Sequence, residues 1–440
     1  MESIKEEYTS YLPQDLISDI ENDSFEIRDE ISINTINEQD DFSFQTPEQN
    51  FFHCQSFQNL IPFNSFNQSF QLNNSNIIPY VKSMDDIQKN ILINQNFINS
   101  SFNYSNKNNS FYNINKIKEN QFKNFLLSNQ NKLLSLIMSY TGSHYLQKLS
   151  YNINSEEIDL FINLINSNIQ NIMCNSYGNY LLQKIISKCN KEQRIKILNY
   201  IKLSFNEICK DNSGNHCIQC LIENINSEEE EKIIENYINN HLMELSLGNN
   251  SNHVIQKLIE KMYQREYLIN FILKNFFILT LNLNGAAVAK KFISEIKDEK
   301  IKKYLILLIE KNYFKMCEDQ YANYVIQYVI ETFGYLSCKN IVNLILNNIL
   351  IFSVEKYASN VIDKIIIIIR ENDPLEFFKI MMFLFTENNF NSVNKNKFGQ
   401  FVIANLIKLI PKEYKPIIKN QIINNNKDYS KYVRILNLLG

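Results

Sequence analysis

The sequence has no long apolar run. The all-isoleucine run Ile365–Ile369 is five residues, and none approaches the roughly 18 that a membrane span requires, so no span is expected. Eight cysteines are scattered without a paired framework, which argues against a disulfide-stapled scaffold and for reduced thiols. The opening Met1-Glu-Ser-Ile-Lys-Glu-Glu7 is acidic and has no apolar core. No secretory signal is expected, and the cytoplasm is the default location. There is no Gly-rich phosphate loop, nucleophile elbow or paired-carboxylate cleft. An enzyme is not expected, and no cofactor is implied. Cys217 and Cys220 form a lone C-x-x-C without a second pair or spaced histidines, which favours core packing over zinc. His144, His216 and His253 share one repeat phase but lie on different helices, with no converging Cys or carboxylate. No metal site is expected. No strand-like alternation competes with helical spacing anywhere along the body.

What is present is a repeat. The stretch Asn175-Ser-Tyr-Gly-Asn-Tyr-Leu-Leu-Gln-Lys-Ile-Ile186 recurs in degraded form seven more times. Its central pair and the residue four after the pair's first member are Ser143-His144 with Gln147, Asn179-Tyr180 with Gln183, and Asn215-His216 with Gln219. Asn252-His253 with Gln256, Ala286-Ala287 with Lys290, and Asn323-Tyr324 with Gln327 follow. The last two are Ser359-Asn360 with Asp363, and Gln400-Phe401 with Ala404. The intervals are 36, 36, 37, 34, 37, 36 and 41 residues, a period that marks a helical repeat array. Each unit of such an array needs only its neighbours for a core.

The formal net charge of −3 is a cancellation. Residues 1–120 carry 7 Lys/Arg and 17 Asp/Glu, whereas 121–440 carry 37 and 30. Residues 1–113 form an acidic stretch followed by Asn, Ser, Gln and Phe-rich tracts such as Asn64-Ser-Phe-Asn-Gln-Ser-Phe70. That composition buries too little aliphatic surface to offset chain entropy, so the arm is expected to be disordered. Its Asn richness also fits a coding bias, since Asn, Ile and Lys abound throughout. Residues 114–440 form the body, and the 37 against 30 charges of residues 121–440 give a mildly basic balance that suits a polyanion.

In the body two helices alternate. The longer steps by three and four through Ile158, Phe161, Ile162, Ile165, Ile169 and Ile172, as one helical face. The shorter carries the motif. Phe122, Phe125, Leu126, Leu133, Leu134 and Ile137 predict an N-terminal cap, and residues 412–440 a closing one. Glu371-Asn-Asp-Pro374 should break a helix. Thr386–Ser392 reads as an exposed loop carrying Phe390. The expected fold is all-α.

With Asn179 at angle zero and about 100° per residue, Gln183 falls near 40° and Tyr180 near 100°. Leu181, Leu182, Ile185 and Ile186 take the opposite half. Asn179 and Gln183 are therefore stacked one above the other, placed to grip the polar edge of a planar object while Tyr180 stacks on its face. Repeated side by side about 9–10 Å apart, such pairs suit single-stranded nucleic acid, whose unstacked bases offer polar edges and π faces. Small residues precede the pair in every copy: Gly142, Gly178, Gly214, Ser251, Gly285, Ala322, Ala358 and Gly399. Tight helix packing and room for a base explain them equally well.

The eight stretches resemble the repeats of the Pumilio/PUF family of RNA-binding proteins. Asp319-Gln-Tyr-Ala-Asn-Tyr-Val-Ile-Gln327 and Lys356-Tyr-Ala-Ser-Asn-Val-Ile362 are especially close. The resemblance covers about residues 115–440. It implies a crescent-shaped α-solenoid of eight repeats with N- and C-terminal caps. The concave face would bind single-stranded mRNA, one base per repeat, with the eighth repeat at the 5′ base. It further implies 3′ untranslated targets, repression of translation or mRNA decay, and deadenylase or translational co-repressor partners on the convex face. No DNA and no membrane partner is expected, and the chain should be a monomer.

By the same resemblance Asn179/Gln183, Asn215/Gln219, Asn252/Gln256 and Asn323/Gln327 match uracil-reading pairs, and Ser143/Gln147 an adenine pair. Ser359 with Asp363 stands where the family has Ser with Glu for guanine. His144, Tyr180, His216, His253, Tyr324, Asn360 and Phe401 would lie between bases. Ala286, Ala287 and Lys290 depart from the pattern, Lys290 suiting a phosphate, and Gln400 with Ala404 departs as well. The site expected is 5′-NGUNUUUA-3′. The resemblance also makes Phe390 a candidate partner contact. Two rivals remain at this point. A HEAT/armadillo protein-binding scaffold gives no reason for the recurring Asn…Gln. A nucleolar PUF-like ribosome-assembly factor fits poorly with an acidic arm.

Overall fold

The structure, a computed structural model, describes residues 121–262, 264–425 and 432–439. The arm expected over residues 1–113 and its boundary lie outside the described residues.

Eight helices carry the recurring stretch. They are α1 (Tyr140–Leu149), α2 (Gly178–Ile186), α3 (Gly214–Asn224), α4 (Asn252–Met262), α5 (Leu283–Glu295), α6 (Ala322–Phe333), α7 (Ala358–Asn372) and α8 (Lys397–Leu409). Each packs on the next in chain order. A second layer lies behind them, where Ser155–Ile165, Lys191–Ile201 and Glu228–Ile238 contact one another in turn. Glu266–Thr280, Glu299–Glu318 and Lys339–Leu346 do the same. Among the described residues there is no strand. The chain is an all-α solenoid.

The local reasons are legible. In α2 the apolar half, Leu181, Leu182, Ile185 and Ile186, is fully buried. Most motif helices start on an Asx-type cap that satisfies otherwise orphaned backbone donors. Oδ1 of Asn175 accepts from Tyr177 N and Gly178 N at 2.9 and 2.8 Å. Asp211, Asn282, Asp319 and Asn396 repeat this. At the other end, α6 stops at Gly334, whose φ of 85° only a residue without Cβ adopts freely.

Two outer helices open on capping boxes whose third residue also reaches a neighbour, and a third opens on a one-way serine cap. Asn154 and Glu157 cap one another, and Glu157 Oε1 also accepts from Lys123 N at 3.1 Å. Asn190 and Gln193 do the same, and Gln193 Nε2 donates to Ser155 O at 2.9 Å and Asp159 Oδ2 at 3.0 Å. Ser227 caps the helix that holds Glu230. Glu230 is fully buried and takes Arg194 Nε at 2.6 Å. Arg194 completes its donors on Cys189 O and Asn226 Oδ1 at 2.6 and 2.9 Å.

Three expectations change. The helix expected through Ile158–Ile172 is broken by a 3₁₀ turn at Asn166–Asn168, giving Ser155–Ile165 and Ile169–Met173. Asn and Ser compete with the helical backbone for hydrogen bonds, which favours a break there. Glu266–Thr280 and Glu299–Glu318 lack such a cluster and run unbroken. Thr386–Ser392 is not an exposed loop but contributes to a helix, Glu387–Asn394. Phe390 points inward from it, is 1 % exposed, and packs on Phe385 and Tyr432 at ring separations of 5.8 and 5.2 Å. An aromatic so enclosed gains more from burial than a surface contact would offer, and it is not available to a partner.

At the two ends of the described solenoid, short helices pack on its outermost units. Phe122 packs on Phe161, and Val433–Leu438 closes on α8. Pro374 sits at the start of Pro374–Leu384, behind the Asp373 cap.

Candidate nucleic-acid interface

At each of α2, α3, α4 and α6 the asparagine is buried and doubly engaged. Asn179 Nδ2 donates to Asn175 O at 2.7 Å, and its Oδ1 accepts Gln183 Nε2 at 2.9 Å. Asn215 and Gln219 are joined at 2.8 Å, Asn252 and Gln256 at 2.8 Å, and Asn323 and Gln327 at 3.1 Å. Each of these asparagines also donates to a backbone carbonyl four residues earlier. On α1, Gln147 Nε2 donates to Ser143 Oγ at 3.1 Å, and Ser143 Oγ to Tyr177 O at 2.8 Å.

This corrects the expected grip by two free amides. Both functional atoms of each asparagine are spent inside the protein, because a buried amide without partners is costly. The glutamines are half-buried and are the amides that reach the surface. With Nε2 tethered, each glutamine amide has a fixed orientation before any ligand arrives.

Beside each glutamine stands a ring. His144, Tyr180, His216 and His253 are exposed and Tyr324 is half-exposed. Tyr140 lies parallel to His144 at 6.4 Å, extending the row by one ring. Burial lowers the pKa of His253, and a positive charge on His216 of the adjacent helix lowers it further. On α5, Ala286 is buried and Ala287 half-buried, and Lys290 lies over the Tyr328 ring at 5.9 Å. That rung carries neither amide nor ring. On α7, Asn360 is exposed and Ser359 Oγ donates to Lys356 O at 3.2 Å. Asp363 Oδ2 accepts from Asn405 Nδ2 of α8 at 2.9 Å, a partner the sequence reading missed because it lies five, not four, residues after Gln400. On α8, Gln400 turns back to Asn394 O at 3.0 Å, while Phe401 is exposed.

The small residue before each pair is explained by packing. A Cβ on Gly142 would lie 2.2 Å from Leu136 O, on Gly285 2.4 Å from Leu279 O, and on Gly399 2.0 Å from Val393 O. Each contact is to the helix that immediately precedes the motif helix. Ser251 instead donates its hydroxyl to the equivalent carbonyl, Leu245 O, at 2.8 Å.

Cys217 is fully buried, and burial raises its thiol pKa well above the ordinary value. Cys220 is pushed up to about 11 for the same reason. Both are packing residues at neutral pH. Among the described residues no group of His, Cys, Asp and Glu is placed to hold a metal, and no helix is long and apolar enough to cross a membrane.

Residues 168–202, 204–236, 241–273 and 312–346 match the Pumilio-family RNA binding repeat. These segments contain α2, α3, α4 and α6, the helices with the tethered Asn–Gln pair. The fold is shared with solved structures. The Puf4 RNA binding domain bound to an HO endonuclease RNA 3′ UTR recognition sequence is 25% identical with a TM-score of 0.58, over 69% of this chain and 92% of that one. The Puf3 RNA binding domain bound to a Cox17 RNA 3′ UTR recognition sequence is 20% identical with a TM-score of 0.55, over 72% and 96%. The RNA-binding domain of yeast Puf5p bound to SMX2 RNA is 21% identical with a TM-score of 0.54, over 69% and 94%. No curated protein matches the chain by sequence. Four segments of the chain, those holding the amide-bearing helices, thus match Pumilio-family RNA binding repeats, and the solenoid in which they stand is the fold that these structures share.

Proposed function

We infer that the chain binds single-stranded RNA sequence-specifically, one base to each motif helix, with the 5′ base at α8. The observation that carries this reading is the coincidence, on α2, α3, α4 and α6, of an oriented glutamine amide with a ring one turn-step away. A primary amide presents a donor and an acceptor side by side, which complements N3–H and a carbonyl of uracil. The ring supplies a stacking face, worth about 1–3 kcal/mol per base.

Gln183, Gln219, Gln256 and Gln327 then read uracil, Gln147 reads adenine, and Asp363 reads guanine. Lys290 meets a phosphate, and Phe401 stacks on the first base without selecting it. The site is 5′-NGUNUUUA-3′. Puf4 and Puf3 are seen on 3′ UTR recognition sequences, which supports mRNA 3′ untranslated regions as targets. The biological output is repression of translation or mRNA decay in the cytoplasm, by a monomer that presents its convex face to deadenylase or translational co-repressor proteins.

Selection from randomised RNA tests the reading. Enrichment of uracil at the third, fifth, sixth and seventh bases is expected, and a motif with uracil at none of them overturns it. The salt dependence should be shallow, corresponding to only a few released counterions.

A further inference from the structure

On five motif helices the polar pair closes within its own helix. On α7 it does not. Ser359 turns to Lys356 O, and Asp363 turns to the next helix, where Asn405 Nδ2 holds Oδ2 at 2.9 Å. Asp363 Oδ1 is buried and has no hydrogen-bond partner. Asn405 is itself fixed, its Oδ1 accepting Lys408 Nζ at 3.0 Å.

A carboxylate oxygen enclosed without a donor is a cost to the free protein, which a donor from a ligand or a proton from solvent relieves. Burial pushes the Asp363 carboxyl up to about 6, although the Asn405 hydrogen bond and the Lys408 charge pull it down. The surrounding charges are few. Lys408 acts from α8. Lys364, next to Asp363 on α7, is paired with Glu331 of α6. Gln327 of α6 is neutral and tied to Asn323.

We propose that Asn405 is a specificity-determining positioning residue for the nucleotide seated at α7, and that this nucleotide is read through a carboxylate whose protonation changes the base it prefers. The proposal rests on the RNA-binding reading above. With Oδ2 held by Asn405, Oδ1 is the oxygen left for a base, which reaches it when the Asp363 side chain turns that oxygen out of its enclosure on binding. Ionised, Oδ1 accepts an N–H, which suits guanine N1–H. Protonated from solvent, Oδ1 becomes an O–H donor, opposes guanine N1–H and suits the bare N1 of adenine.

The experiment is equilibrium binding of the full chain to 5′-NGUNUUUA-3′ RNAs carrying guanine or adenine at the second position, from pH 5 to 8. The preference for guanine should fall by about tenfold between pH 8 and pH 5, the size of one base contact. Uracil-to-cytosine discrimination at the third position serves as the internal reference and should stay constant. Asp363→Asn should flatten the second-position profile. Asn405→Ala removes a bond that favours the anion, so the midpoint should move to higher pH. A carboxyl ¹³C titration of Asp363 in the RNA-free protein should show the same displacement, a readout that a merely structural Asn405 would not move. A second-position preference that ignores pH, with uracil discrimination intact, overturns this proposal alone. Loss of all base discrimination in the unsubstituted protein overturns the RNA-binding reading and this proposal with it.

Discussion

Gln183 Nε2 lies 2.9 Å from Asn179 Oδ1, and Asn179 Nδ2 lies 2.7 Å from Asn175 O. The two amides are thus in series, one buried and one at the surface, and their substitution should separate stability from binding. Asn179→Ala should destabilise by about 1–3 kcal/mol, since it removes two hydrogen bonds made by a buried side chain, and it should also loosen Gln183. Gln183→Ala should cost about 1–3 kcal/mol of RNA affinity with a smaller effect on stability. Urea unfolding beside RNA titration of both variants checks the contrast.

The Arg194–Glu230 pair is almost wholly buried. Arg194→Met should cost about 3–5 kcal/mol by leaving a charge unpaired, and the double change with Glu230→Leu should recover much of it. The pair also sets a pH dependence. Burial alone would raise the Glu230 carboxyl, but hydrogen bonds from Arg194, Ser227 and the Asn226 amide hold it below the usual glutamate range. A depressed carboxyl contributes stability above its unfolded pKa, and that contribution is lost as pH falls through the folded value. Asp363 runs the other way, its raised carboxyl favouring the fold as pH falls through about 6. Acid titration of Arg194→Met should lose the first component and keep the second.

Gly399→Ala should destabilise by about 1–3 kcal/mol through overpacking, because the new Cβ meets Val393 O at 2.0 Å. Thermal unfolding reads the effect.

Phe390→Ala should cost about 3–5 kcal/mol as a core truncation, since the ring is sealed between Phe385 and Tyr432. Limited proteolysis should show opening near α8, the helix on which the closing segment packs.

Much of this was legible in the sequence because period and helical phase are local properties. The spacing of Asn179 and Gln183 placed them one above the other, and the row of rings followed from the next residue. Burial of the asparagines was not legible. It depends on carbonyls such as Asp211 O and Gly248 O in the turn before each helix, and an angle on a wheel says nothing of those. Asn405 was missed for a related reason. It lies outside the motif phase, and its partner is 42 residues away. Phe390 was misplaced because Glu387-Asn-Asn-Phe-Asn-Ser392 is polar on either side, and one aromatic gives no period from which to infer a helix.

The helix caps at Glu157, Gln193 and Glu230 have a bearing on where the chain can be cut. Each finishes its bonding only on residues some thirty-odd positions away, at Lys123, Ser155 and Arg194. A fragment that ends before Ser227 would leave the Arg194 guanidinium facing a missing carboxylate, and one that begins after Lys123 would leave Glu157 short of a donor. Workable boundaries for shorter versions of this protein therefore fall outside these linked spans, even where a period boundary in the sequence invites a cut inside them.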